Sequence, residues 1–92
     1  MNLRLITTNI ELKDGLQPLP RQCNIYDMEI INSQLKLFLT MDNKDGFDEF
    51  DFKFIRPNQF ISDEINEYAY LGKGKDEQGD VLVFFKIIKQ HI

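Results

Sequence analysis

"DGFDEFDFKFI", Asp45 to Ile55, sets Phe50, Phe52 and Phe54 two residues apart, with Glu49, Asp51 and Lys53 between them. Residues two apart share a face of a β-strand, so this spacing writes a strand with one aromatic side and one charged side. Such a stripe has three uses: a platform that stacks planar ligands, an acidic loop that holds a cation, or the buried edge of a small β domain. Stacking platforms for nucleic acid surround their aromatics with Lys and Arg, which attract the phosphate backbone. Here the neighbours are Asp48, Glu49 and Asp51, opposed by Lys53 alone. Burial of each Phe contributes about 1.5–3 kcal/mol, which a short chain needs against its conformational entropy. The stripe therefore reads as core, and Asp45, Asp48, Glu49 and Asp51 read as an acidic rim in water.

The cation reading is weaker. With Gly46 placed at the sixth position of a helical-hand calcium loop, Met41 and Phe52 fall where carboxylates are required. A looser site from Asp42, Asp45 and Asp48 remains as an alternative to a solvated turn.

Period-two alternation continues on both sides of this stretch, and helical spacing is hard to find. "LRLITTNIEL" (Leu3 to Leu12) is rich in β-branched residues and predicts a first strand ended by Asp14-Gly15. In "LQPLPRQ", Pro18 and Pro20 remove amide donors, which suits a connector or an edge and not a central strand. "NIYDMEII" puts Tyr26, Met28 and Ile30 on one face and Asp27 and Glu29 on the other. After Asn32-Ser33-Gln34, "LKLFLTMD" alternates Leu35, Leu37, Leu39 and Met41 with Lys36, Phe38, Thr40 and Asp42, completing a β-hairpin.

Past Arg56-Pro57-Asn58, the run Ser62-Asp63-Glu64 carries a capping hydroxyl and acids, the start of one or two helical turns. "EYAYLG" reads as a short strand and "KGKDEQGD" as a mobile connection. The closing "VLVFFKIIK" is apolar on both faces and so belongs in the middle of the structure. The sum is an all-β or β-rich α+β fold: a small, mostly antiparallel barrel or sandwich of about six strands with at most one short helix.

The 92 residues suit a single domain spanning 1–92, and 42% hydrophobic residues with eight Phe and three Tyr exclude a disordered chain. A net charge of -4 argues against nonspecific nucleic-acid binding. No apolar run nears the roughly 18 residues a membrane helix needs, and "MNLRLITTNIELKDG" lacks the pattern of a signal peptide, so a cytoplasmic place is expected.

"GKGKDEQGD" lacks the Gly-Lys-Ser/Thr ending of a phosphate loop, leaving anion contact through Lys73 and Lys75 as a minor reading. The single Cys23 reads as a small apolar filler and His91 as part of a chain end. No spacing assembles a catalytic set, a metal site or a cofactor site from them, and no enzyme is expected.

From Leu19 onward, the order of features resembles a family of short, functionally uncharacterised proteins found largely in bacteriophages and prophages. The resemblance rests on Leu19-Pro20, the hairpin "NIYDMEIINSQLKLFLTMD", "FKFI" after an acidic insert, "YLG" at Tyr70 to Gly72, and "LVFFKI". Members often carry a Trp in the second hairpin strand and a His in the last strand, where this chain has Phe38 and Phe85 nearby. The resemblance brings no activity; a phage setting implies a short protein that binds and blocks a host or defence component.

The sequence thus points to a noncatalytic protein-binding module with two candidate surfaces. One is the acidic rim of Asp45, Asp48, Glu49 and Asp51; the other is a sheet margin near Tyr68, Tyr70 and Lys73, since a Tyr ring can be buried while its hydroxyl stays wet. The alternative is a small-ligand-binding or sequestering protein whose pocket forms in an oligomer, with an exposed strand edge as the route to a homodimer.

Overall fold

The computed structural model describes residues 3–42 and 45–89; Asn43, Lys44 and His91 lie outside the described residues. Seven strands appear in chain order: β1 (Arg4–Glu11), β2 (Gly15–Pro20), β3 (Asn24–Ile31), β4 (Gln34–Met41), β5 (Phe47–Ile55), β6 (Ala69–Asp76) and β7 (Gly79–Lys89). A short 3-10 turn, Asp63–Glu67, precedes β6. They form two antiparallel sheets, one ordered β1-β4-β3 and the other β2-β5-β7-β6. The outer strands of the two sheets do not pair with each other, so this is an open sandwich and not a barrel.

The core lies between the sheets. Ile10, Leu35, Leu37 and Leu39 come from one side, and Leu19, Phe50, Phe52, Val81 and Val83 from the other. Phe50 and Phe52 are buried, with Phe54 half-buried beside them. Their rings run in a stack, 6.3 Å from Phe50 to Phe52 and 6.3 Å from Phe52 to Phe54, and Phe85 of β7 lies 5.8 Å from Phe50. The aromatic stripe is therefore interior, as its acidic flanks suggested.

Asp48 corrects one part of that reading. It is two residues from Phe50, shares the inward parity and is 1% exposed, opposite Leu19 in the register. Its Oδ2 accepts the Gln22 amide at 3.0 Å, satisfying a backbone donor in the β2–β3 turn, where Gln22 has φ 57. Asp48 thus belongs to the end of the core and not to an exposed acidic rim, and it is not free for a loop cation. Among the described residues no group of three or more His, Cys, Asp or Glu is placed to hold a metal.

Other expectations meet the structure unevenly. The hairpin turn is Asn32-Ser33, with φ 52 and 61, the paired left-handed geometry that fits a two-residue connection to strand twist. β2, with its two prolines, is an edge strand, and β7 is flanked on both sides. Ser62 caps the 3-10 turn, its hydroxyl accepting the Glu64 amide at 3.2 Å. Tyr26, however, does not share the face of Met28. A bulge between Ile25 and Asp27 gives the inward place to Ile25, which packs on the core, and leaves Tyr26 exposed.

The "KGKDEQGD" segment also differs from its expectation as a loose connection. β6 continues to Asp76, leaving Glu77-Gln78 as the turn, and Gly72 and Gly74 sit inside the strand. They are small because β3 packs directly on them. A Cβ at Gly72 would lie 3.0 Å from the Met28 sulfur, and one at Gly74 would lie 2.7 Å from Ile30 Cδ1 and 3.1 Å from Ile30 Cβ. This close approach draws the sheets together along β3 and β6.

Gly74→Ala should destabilise the fold by about 1–3 kcal/mol, because the new methyl meets the stem of Ile30 as well as its tip. Gly72→Ala should cost less, since the flexible Met28 side chain can turn aside. Urea unfolding of both variants tests the order; equal losses, or none at Gly74, would contradict the contact.

Candidate protein-binding surface

Outward parity on β5 belongs to Phe47, Glu49, Asp51 and Lys53, opposite the parity that buries Phe50 and Phe52. On β6, a bulge between Tyr70 and Gly72 turns Leu71 onto the core and brings Tyr70 and Lys73 to the same outward face, opposite Phe84 and Leu82. The outward face of the four-stranded sheet consequently collects Glu49, Asp51, Tyr68, Tyr70 and Lys73, which the sequence had divided between two surfaces. Asp45 lies apart, exposed just before β5, and Asp48 points inward.

Residues 56–68 run as a strap across this face. Arg56 fixes one end through paired hydrogen bonds to Asp76, from Nη1 to Oδ1 at 2.9 Å and from Nη2 to Oδ2 at 2.5 Å. At the other end the Tyr68 hydroxyl donates to Asp51 Oδ2. Lys86 stands 4.8 Å and Lys53 6.0 Å from the centre of the Tyr68 ring, and Lys86 reaches Glu67 at 3.6 Å. Burial of the ring, then the bond to Asp51 and the surrounding negative charge, raise the Tyr68 hydroxyl well above the usual phenol range. It therefore stays neutral and remains a donor.

Between strap and sheet lies a groove with Lys53 and Ile55 on its floor and Phe60, Ile61, Ile65 and Tyr68 along its walls. Phe60 is fully exposed and Ile61 is 50% exposed, so the lip presents adjoining apolar side chains to water. The charges around them are mostly negative: Asp14 and Glu64 line the groove, and Asp63 is exposed on the same 3-10 turn. Lys53, on the floor, and Lys86 both stand over the Tyr68 ring. An apolar lip within an acidic border can grip an apolar side chain flanked by positive charge.

The sequence reading missed Phe60 and Ile61, because "QFISDEINEY" was informative chiefly as a helix start. A large apolar pair just before a capping serine was the available signal. A second exposed apolar patch went unseen as well. Leu5, Phe38 and Thr40 line a shallow depression on the outward face of the three-stranded sheet, beside Tyr26.

Cys23 is half-buried against the core, as its filler reading required, and burial followed by the charge of Asp48 pushes its thiol up to about 11. At neutral pH it is protonated and a poor nucleophile.

Comparison of the chain with models of protein families, with curated proteins and with solved structures finds no match. Among the described residues no helix is long and apolar enough to cross a membrane.

The anchor of the strap is sensitive to acid. The Arg56 hydrogen bonds hold Asp76 at about 2, below its ordinary 3.8. A carboxyl whose folded pKa is depressed stabilises the fold fully above its unfolded pKa, and that contribution is lost as pH falls through the folded one. Melting temperature should fall more steeply between about pH 4 and pH 2 in the native protein than in Asp76→Asn. Parallel acid profiles for the two proteins would refute the assignment.

Proposed function

We propose that this chain is a noncatalytic protein-binding module that grips a partner segment in the groove between the strap and β5. The observation that carries the reading is Phe60, wholly in water beside Ile61 on the lip of an acid-bordered groove. Exposed large apolar side chains grouped at a groove are characteristic of surfaces that are covered in a complex. The partner segment presents an apolar anchor with Lys or Arg beside it, since Asp14, Asp63 and Glu64 favour positive charge there. The phage resemblance makes that partner a host or defence protein, met in the cytoplasm, with the module acting as a modulator or inhibitor.

Affinity capture with the intact protein, using Phe60→Ser and Glu64→Lys as controls, tests this. Both side chains are exposed, so the melting temperatures should stay near that of the native protein. A genuine partner is retained by the native protein and lost with Phe60→Ser; Glu64→Lys weakens it, most strongly at low salt. Undiminished capture by Phe60→Ser would discard the groove.

A further inference from the structure

Open sandwiches have four strand edges, and in this one three are closed to further pairing. β2 carries Pro18 and Pro20, which lack amide donors. β3 and β6 each carry a bulge and pack on one another through Met28 and Ile30 over Gly72 and Gly74. β1 differs in every respect. It pairs with β4 in unbroken register from Arg4 to Glu11, contains neither Pro nor Gly, and pairs with nothing else among the described residues. Between Arg4 and Glu11 its six side chains are uncharged, and Leu3 and Leu5 are exposed alongside.

We propose that this edge is a self-association edge, and that two copies join β1 to β1 in antiparallel register to make one continuous six-stranded sheet. Charge selects both the orientation and the occupant. Antiparallel pairing brings the Arg4 end of each copy beside the Glu11 end of the other, whereas parallel pairing would set like charges together. Facing residues of an antiparallel pair share a face, so a two-fold axis normal to the sheet must run midway between one residue and its own copy, which face each other. Thr7 and Thr8 are the central candidates, being small, β-branched and uncharged. Each copy has one such edge, so association stops at the dimer. This rests on β1 alone and is independent of the groove under the strap.

Sedimentation equilibrium of the intact protein across a range of concentrations, with Thr7→Lys beside it, decides the matter. Thr7 is exposed on the outward face, so the variant should keep the native circular dichroism spectrum. The native protein should show a monomer–dimer equilibrium, and Thr7→Lys should raise its dissociation constant by roughly tenfold or more. Amide hydrogen exchange supplies a second reading: protection along β1 should increase with protein concentration while that along β2 stays constant. A native protein that is monomeric throughout overturns the proposal, as does a dimer that Thr7→Lys leaves intact or that forms without protecting β1.

Discussion

Burial of Phe50 and Phe52 within the cluster formed by Leu35, Leu37 and Leu39 sets the terms for the rest of the molecule. Each such side chain contributes about 1.5–3 kcal/mol, and net stabilities of small domains are only about 5–15 kcal/mol, so no alternative pairing that exposes both rings can compete. The consequence reaches the opposite face. A one-residue slip of β5 would bury Glu49, Asp51 and Lys53 together and expose the rings, so the core fixes which β5 side chains face outward. Asp51 is thereby presented to Tyr68, and through Tyr68 the strap is held over the groove. The surface inherits its geometry from the core.

Much of this was legible because alternation is a direct projection of the two faces of a strand. The leucine strand β4, the prolines of β2 and the two-sided apolar β7 each announce their place by composition alone. What alternation could not show is where its phase changes. The bulges at Tyr26 and Leu71 each insert one residue, moving every later side chain to the other face relative to a count made from the strand's start. Tyr26 was thus placed on one face with Met28 and Ile30, and a plain count along β6 would set Tyr70 and Lys73 on opposite faces, although both face outward. Nothing in the composition of a single strand marks such an insertion.

Asp48 illustrates a different limit. Its parity with Phe50 and Phe52 was readable, but charge is ordinarily a stronger guide to exposure than parity at a strand end. The exception arises because the β2–β3 turn delivers the Gln22 amide to it, a contact between residues far apart in sequence. The glycines of β6 are similar. In isolation Gly72 and Gly74 suggest a loose connection, and only the arrival of Met28 and Ile30 from the other sheet reveals why a strand should lack side chains there. Contacts made across the sandwich, and not along it, are the ones a linear reading loses. The number of strands suffered from the same loss, since β2 is held by β5, a partner distant in sequence.

The two surfaces differ in what covers them, and their arrangement has a consequence for binding. The strap crosses the β5 part of the outward face of the four-stranded sheet and builds the groove, while the outward face of the three-stranded sheet stays bare around Leu5, Tyr26 and Phe38. A two-fold axis normal to the three-stranded sheet leaves the four-stranded sheets of both copies on the same side. Their grooves then face the same direction, carried by one rigid six-stranded platform. A partner that is itself dimeric, or that repeats its apolar and basic segment, could engage both grooves at once, and the second engagement would proceed at high effective concentration. A small domain with a shallow groove gains holding power in this way without enlarging either site, which is the physical reason to expect self-pairing and partner binding on opposite layers of the same sandwich.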